Sequence, residues 1–266
     1  MVDYSKNFSY VQNNFESGEF NRHFHEEYSI GLICNGSHSF STKERKYTIQ
    51  KDLIRIINPY ELHSTHQSSW SYINFMPTID LLNTIASDMS MNNVEKDYRV
   101  FKPVIDDSIA VMRFRSLFSA LEENNDSFSI ESSVIEFFSY LINRHSIESL
   151  ERIEHNRKAT PNLMRALEYI NEFYYDSNIS LAEVSQIAEL SKFHFIRQFK
   201  KIFGVTPAYY LKIKRINKAK KLLMQNTPLS QIAYACGFFD QSHFTKTFRE
   251  FFGYPPKKLQ QNTIIL

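Results

Sequence analysis

Two cysteines in 266 residues, Cys34 and Cys236, are too few for a disulfide framework or a cysteine-ligated zinc site, and both stand in apolar surroundings that read as buried thiols. Six glycines and eight prolines exclude a low-complexity chain. No apolar run approaches the roughly 18 residues of a membrane span. Nothing reads as a signal peptide either, so a cytoplasmic protein without a membrane partner is expected. Net charge is nearly absent, +2 over the whole chain, yet that figure averages two unlike halves. Residues 1–157 hold 15 Lys+Arg against 22 Asp+Glu, net −7, and residues 158–266 hold 16 against 7, net +9. The basic half points to nucleic acid.

What is present is a repeat. Leu181 to Phe203 and Leu229 to Phe252 each read as a short helix, a tight turn and a longer helix. At an offset of 48, Leu181, Val184, Ala188 and Leu190 fall on Leu229, Ile232, Cys236 and Phe238; after a one-residue insertion, Phe195, Phe199, Phe203, Gly204 and Pro207 fall on Phe244, Phe248, Phe252, Gly253 and Pro256. A doubled helix-turn-helix of this size is most economically a reader of double-stranded DNA with two helices in the major groove.

At 100° per residue the phenylalanines of each second helix gather on one face, leaving a polar and basic side opposite. The candidate contacts are Lys192, Phe193, His194, Ile196, Arg197 and Lys201 in the first copy, and Gln241, Ser242, His243, Lys246 and Arg249 in the second. Cations and Gln near a helix start reach guanine or adenine edges, whereas later cations suit phosphate. For one copy alone, an amphipathic helix with a solvated charged face is an equal reading; two copies in register weigh against it.

Pro207 to Gln225 reads as one helix of roughly 28 Å, close to the separation of about 34 Å between successive major grooves. Lys212, Lys214, Arg215, Lys218, Lys220 and Lys221 would lie along phosphate, and Leu211, Ile216, Ala219, Leu222 and Leu223 would hold the modules together. Thr160-Pro161 and Thr227-Pro228 read as cap-plus-proline helix starts, and Ser180 with Glu183 as a capping box.

The stretches Ser191 to Pro207, Arg215 to Leu223 and Gln231 to Pro256 resemble the AraC/XylS family of bacterial transcription regulators. The resemblance implies a seven-helix unit from about Thr160 to Gln261, with base contacts from Phe193, His194, Ile196 and Arg197, then Gln241, Ser242, His243 and Lys246. Two positions depart from the family's pattern: Glu189 stands where the first turn usually has Gly, and Gln231 where an acidic residue is common. A strained or differently shaped first turn is therefore expected.

From Phe20 to Phe75 the pattern is β, with Tyr28, Ile30, Leu32 and Cys34 alternating, Asn35-Gly36 as a hairpin turn, Ser37 to Thr42 and Arg45 to Gln50 as short strands, and Leu53 to Ile57 ended by Asn58-Pro59. A small barrel is expected. His23-Phe24-His25 and Asn58 to His63 resemble the cupin-like effector domain of the same family. His23, His25 and His63 also resemble a cupin metal site, but Glu26 and Glu27 are too close to supply the usual fourth ligand. No metal and no cofactor is therefore expected. Arg22, His25, Tyr28, Arg55, His63 and Trp70 are the candidate lining of an effector pocket, with Tyr72 beside them.

Two amphipathic helices follow, Ile109 to Leu121 and Ile130 to Ile142, which could cover the barrel or pair with a second copy. The expected fold is α+β in two domains: a cupin-like barrel over residues 1–77, a helical subdomain over 78–145, a linker over 146–159 and an all-α DNA-binding domain over 160–266. The function that joins these parts is a ligand-responsive, non-enzymatic, sequence-specific transcription regulator, with a small-molecule effector, RNA polymerase and a possible homodimer as partners. A cupin-type metalloenzyme fused to a DNA-binding domain, and a DNA-bending protein without sequence preference, are the alternatives.

Overall fold

The computed structural model describes residues 8–42, 45–89, 100–123, 126–147, 159–252 and 254–264. It divides into two compact units, Met1–Ser149 with Asn262–Leu266, and Leu150–Gln261.

In the first unit the chain forms β1 (Phe8–His23), β2 (Ser29–Ser41), β3 (Lys46–Gln50), β4 (Ile54–Ile57), β5 (His63–Pro77), α1 (Ile79–Met89), β6 (Val100–Phe101), β7 (Val104–Ile105), α2 (Ser108–Glu122), α3 (Ser127–His145) and β8 (Ser146–Ile147); β9 (Thr263–Ile264) joins from the C-terminal end. The main sheet runs β7-β4-β2-β5-β1-β9 with β3 beside β2, and its pairs are antiparallel. Among the described residues this hydrogen-bond path does not return to its start, and the antiparallel sheet takes in the short β7 and β9 from beyond residue 77.

Alternation assigns each side chain a face. Tyr10, Ile30, Leu32, Ile54, Ile56, Ile73 and Phe75 point to one side and form a single buried cluster with the apolar stripes of α1, α2 and α3. Phe75 stacks on Phe114 of α2 at 4.3 Å, and Phe114 meets Phe137 of α3 edge-on at 5.4 Å. The register pairs Gly31 with both Arg55 and Asn74, and Ile33 with Tyr72, so these residues share the opposite face.

One local expectation is corrected. Asn35-Gly36 is not a hairpin turn, because β2 runs through it and the register against β5 shifts on either side. Gly36 holds φ +73°, and a Cβ there would lie 2.2 Å from the Ser69 carbonyl oxygen, so the dipeptide serves a bulge. The chain reverses instead between Thr42 and Arg45, where the Thr42 amide donates to the Arg45 carbonyl at 3.0 Å. Within the segment expected as a linker, Ser146 and Ile147 pair with β6, and residues 148–158 lie outside the described residues. Helix α1 buries Leu81, Leu82, Ile85 and Ala86.

The second unit is helical: α4 (Pro161–Phe173), α5 (Leu181–Ile187), α6 (Lys192–Phe203), α7 (Pro207–Met224), α8 (Leu229–Ala235), α9 (Gln241–Phe252) and α10 (Pro256–Asn262). Thr160 caps α4 with Pro161 at its start, as expected. Thr227-Pro228 does not repeat this: Pro228 itself is the cap residue of α8 and no side chain caps it. The capping box is half formed, because Ser180 accepts from the Glu183 amide at 3.2 Å while the Glu183 carboxylate accepts from the Tyr169 hydroxyl at 2.6 Å.

Candidate DNA interface and ligand-binding face

Each reading helix is fixed from behind by phenylalanine and capped at the end that carries the candidate contacts. In α6, Phe195 and Phe199 are fully buried, Ser191 accepts from the His194 amide at 3.4 Å, and Gly204 ends the helix at φ +77°. In α9, Phe244, Phe248 and Phe251 are buried and the Asp240 carboxylate accepts from the His243 amide at 2.6 Å. Lys192, Phe193, His194, Arg197 and Lys201 are exposed on α6 with Ile196 half-buried beside them; Gln241, Ser242, His243, Lys246 and Arg249 are exposed on α9. The residues expected to contact DNA thus occupy two solvent-facing surfaces of one unit.

The part of α7 in this arrangement could not be read from its lysines. Its first turn carries adjacent tyrosines that grip the two reading helices separately. Tyr209 stacks on Phe251 of α9 at 5.5 Å, and Tyr210 meets Phe199 of α6 edge-on at 5.6 Å. The Tyr210 hydroxyl also donates to Asn171 of α4 at 3.0 Å. In the sequence their signal is a pair of adjacent tyrosines two and three residues after the Pro207 helix start.

Several of the cations expected on phosphate have other work. Lys212 pairs with Glu250 of α9 at 3.0 Å. The Arg215 guanidinium donates to the Tyr174 and Asp176 carbonyls, each at 2.7 Å, and Lys214 sits 5.7 Å from the Tyr174 ring centre. Lys218 is exposed on the solvent side of the helix. Of the expected apolar residues, Ile216, Ala219 and Leu223 are buried while Leu211 and Leu222 are half-buried. Cys236 is buried, which pushes its thiol up to about 12; Cys34, expected to be buried, is only half so.

In the first unit the sheet face away from the helices collects polar groups. Arg55 is buried with no carboxylate partner among the described residues: its terminal nitrogen donates to Ser29 at 2.6 Å and to Asn74 at 3.1 Å, and its Nε has no partner. Burial pulls the guanidinium below its ordinary range, against a smaller opposing effect of Tyr72, whose ring centre lies 5.9 Å away. A buried charge is ordinarily paired, because its desolvation is otherwise uncompensated.

Within reach of its charge is a histidine that the sequence did not single out. His38 stacks on Trp70 at 4.4 Å and on Phe40 at 5.4 Å, and bonds Thr65 through Nε2 at 3.2 Å while its Nδ1 has no partner. Burial, then the charge of Arg55, lowers its pKa to about 2. It lies past the bulge at Gly36, which is why simple alternation from Tyr28 did not identify it.

His23, His25 and His63 do gather. Their ring centres lie 4.3, 4.8 and 6.2 Å apart, and each Nδ1 is 2.7 to 2.9 Å from a backbone carbonyl, of Asn21, Glu27 and Glu61 respectively. A carbonyl only accepts, so each Nδ1 carries the proton. Burial, then the neighbouring histidines, holds His63 well below its ordinary pKa. Among the described residues no group of three or more His, Cys, Asp or Glu is arranged to hold a metal ion.

Two candidate lining residues are displaced. Tyr28 belongs to the helix-covered cluster and packs on Phe101 at 5.7 Å, on the face away from Arg55, because Tyr28 and Ser29 point oppositely along β2. Arg22 is exposed near the end of β1. Arg55 and Trp70 remain on the polar face; His25 and His63 are buried in the histidine group.

The AraC-like ligand binding domain matches residues 6–137, and a helix-turn-helix domain matches residues 184–262. The HTH-type transcriptional regulator YbfI of Bacillus subtilis (strain 168) is 27% identical over 234 residues, 85% of this chain and 81% of that protein. The HTH-type transcriptional activator RhaS of Enterobacter sp. (strain 638) is 24% identical over 251 residues, 91% of this chain and 88% of that one. Among solved structures, ToxT from Vibrio cholerae O395 shares the fold with a TM-score of 0.62 at 16% identity, covering 96% of this chain and 98% of that chain. No helix among the described residues is long and apolar enough to cross a membrane.

Proposed function

The chain belongs to the AraC family of transcriptional regulators, and on that footing we propose that α6 and α9 read successive major-groove segments of one operator while the polar face of the N-terminal sheet takes up the effector. The observation that carries the DNA reading is the exposure, on two capped and phenylalanine-backed helices of one unit, of ten of the eleven candidate contacts, Ile196 alone being half-buried. Arg197 and Lys246 are the proposed base contacts, and Lys201 and Arg249 the proposed phosphate contacts. Selection of binding sites from a randomised duplex tests this. The expected product is a bipartite site with two half-sites about one helical turn apart, and a protein that enriches no sequence overturns the reading.

The effector we infer carries an anionic or acceptor-rich group. Arg55 supports this: a buried guanidinium without a carboxylate leaves a partner's place for a ligand, and Trp70 with Phe15, stacked at 4.7 Å, supplies an apolar wall. We read the histidine group as part of this face and the protein as a regulator without catalytic activity. Activation is the proposed direction, since relatives such as RhaS are activators by name, and RNA polymerase is then the onward partner. A second copy of the chain is the proposed partner for α2 and α3, which leave Ile109, Met112, Phe128 and Ile135 exposed.

A further inference from the structure

The two helix-turn-helix copies can be superposed bond by bond, and this locates their one-residue difference. Before the turn ends the offset is 48. The Glu189 and Gly237 amides donate to the Gln186 and Tyr234 carbonyls at 2.9 and 3.1 Å, and the Leu190 and Phe238 amides to the Ser185 and Ala233 carbonyls at 3.0 and 2.9 Å. From the cap onward the offset is 49. Ser191 and Asp240 accept from the His194 and His243 amides through their side chains, and from the Phe195 and Phe244 amides through their carbonyls at 2.9 and 3.1 Å. Only Phe239 has no counterpart, so it is the inserted residue.

The insertion is a phenylalanine left in water. The residue is 91% exposed although Phe238 beside it is buried, and it precedes the first residue of α9 by two positions. An exposed turn readily takes a polar residue, and an apolar ring there forgoes the burial that such rings normally gain. Copy one offers a parallel. Phe193, at the second position of α6, is 70% exposed, and Ser242 stands at the matching position of α9. The second module therefore lacks an exposed phenylalanine at the second position of its reading helix and has one just ahead of that helix, at the end that enters the groove.

The apolar group that a base pair shows in the major groove is the thymine 5-methyl. We propose that Phe239 is a specificity-determining residue whose ring packs against a thymine methyl beside the base read from the start of α9. This rests on the reading of α9 as a groove-binding helix.

The test uses the full chain and a duplex obtained by site selection with the wild-type protein. Each thymine of that duplex is replaced in turn by deoxyuridine, which removes the methyl and keeps the pairing, and affinities are measured for wild type and Phe239→Ala. The expected result is one thymine whose replacement weakens the wild type about fourfold, as for the loss of one buried methyl-sized group. The same replacement leaves Phe239→Ala unchanged, and that variant selects sites with relaxed preference at that position at an unaltered thermal midpoint. Equal losses by Phe239→Ala on selected and random duplexes, without deoxyuridine sensitivity, would mean a sugar or phosphate contact and overturn the proposal. An unchanged affinity and site preference overturns it as well, as does a lowered thermal midpoint, which would assign the ring to packing. A wild type that selects no sequence removes the groove-reading premise itself, an outcome distinct from failure of Phe239 alone.

Discussion

Glu189 and Gly237 stand at the same step of the two helix-turn-helix repeats, and both hold left-handed backbone, at φ 54° and 70°. The first turn thus keeps the shape of the second although it lacks glycine, and Glu189 bears the strain. Its carboxylate meets Arg165 of α4 at 3.0 Å, but both groups are largely exposed and such a pair offsets little. Glu189→Gly should stabilise the helical unit by up to about 1 kcal/mol. Gly237→Ala should destabilise it by about 2 kcal/mol or more, because a Cβ there lies 2.5 Å from the Tyr175 carbonyl oxygen as well as adopting an unfavourable φ. Urea unfolding of the two variants checks both signs; a stabilised Gly237→Ala sinks the account.

Tyr209 is not itself a candidate DNA contact, yet its ring on Phe251 seats α9. Tyr209→Ala is expected to lower affinity for a selected bipartite site by about 0.5 to 1.5 kcal/mol, the worth of an aromatic pair, while a duplex bearing only the α6 half-site is bound as before. Binding measured on the full and half-site duplexes separates this from general unfolding.

Cations of the helical unit should fall into three groups. Arg197→Ala is expected to cost about 1 to 3 kcal/mol on the selected site and to relax one base position. Lys218→Ala should weaken selected and random duplexes alike and reduce the salt slope by about one. Lys212→Ala should chiefly affect stability, since its ammonium is engaged with Glu250. Salt titrations of all three on both duplexes give the comparison, and a Lys212→Ala variant behaving like Lys218→Ala would contradict the assignment.

Replacing Arg55 by Met removes an uncompensated buried charge while keeping an unbranched chain of similar length. The ligand-free variant should be as stable as wild type or more so, by about 1 to 4 kcal/mol. Its DNA affinity should no longer respond to carboxylic acids that act on the wild type. A clearly destabilised Arg55→Met would show that the bonds to Ser29 and Asn74 outweigh the burial of the charge.

His38 and His63 are held neutral in the fold, both chiefly by burial. Their folded pKa values lie below the unfolded value of about 6.5, so the unfolded chain binds more protons as the solution is acidified. Their contribution is complete above about pH 6.5 and is lost below it, at about 1.4 kcal/mol per pH unit for each histidine. His38→Phe should remove one such increment from the slope between pH 6 and 5. Denaturant unfolding at stepped pH is the measurement, and a slope unchanged by the substitution counts against it.

What the sequence determined by itself is what repeats locally. The offset between the two copies, the phenylalanine stripe and the Thr160 cap are set by positions within a few turns of one another, so helical period and spacing disclosed two readers and their outward faces. The contrast in charge between the halves was equally legible, being a matter of composition.

Tertiary structure decided what depends on partners distant along the chain. Asn35-Gly36 carries the same local signal for a turn as for a bulge, and only pairing of β2 with β5 makes it a bulge. Lys212 and Arg215 look like Lys218 in sequence, and only Glu250 and the carbonyls of Tyr174 and Asp176 take them out of reach of phosphate. The loneliness of Arg55 is likewise a property of the folded sheet, because a missing counter-charge is defined by what surrounds a group in space. Local periodicity fixes which way a side chain points; the packing of remote segments fixes what it meets there.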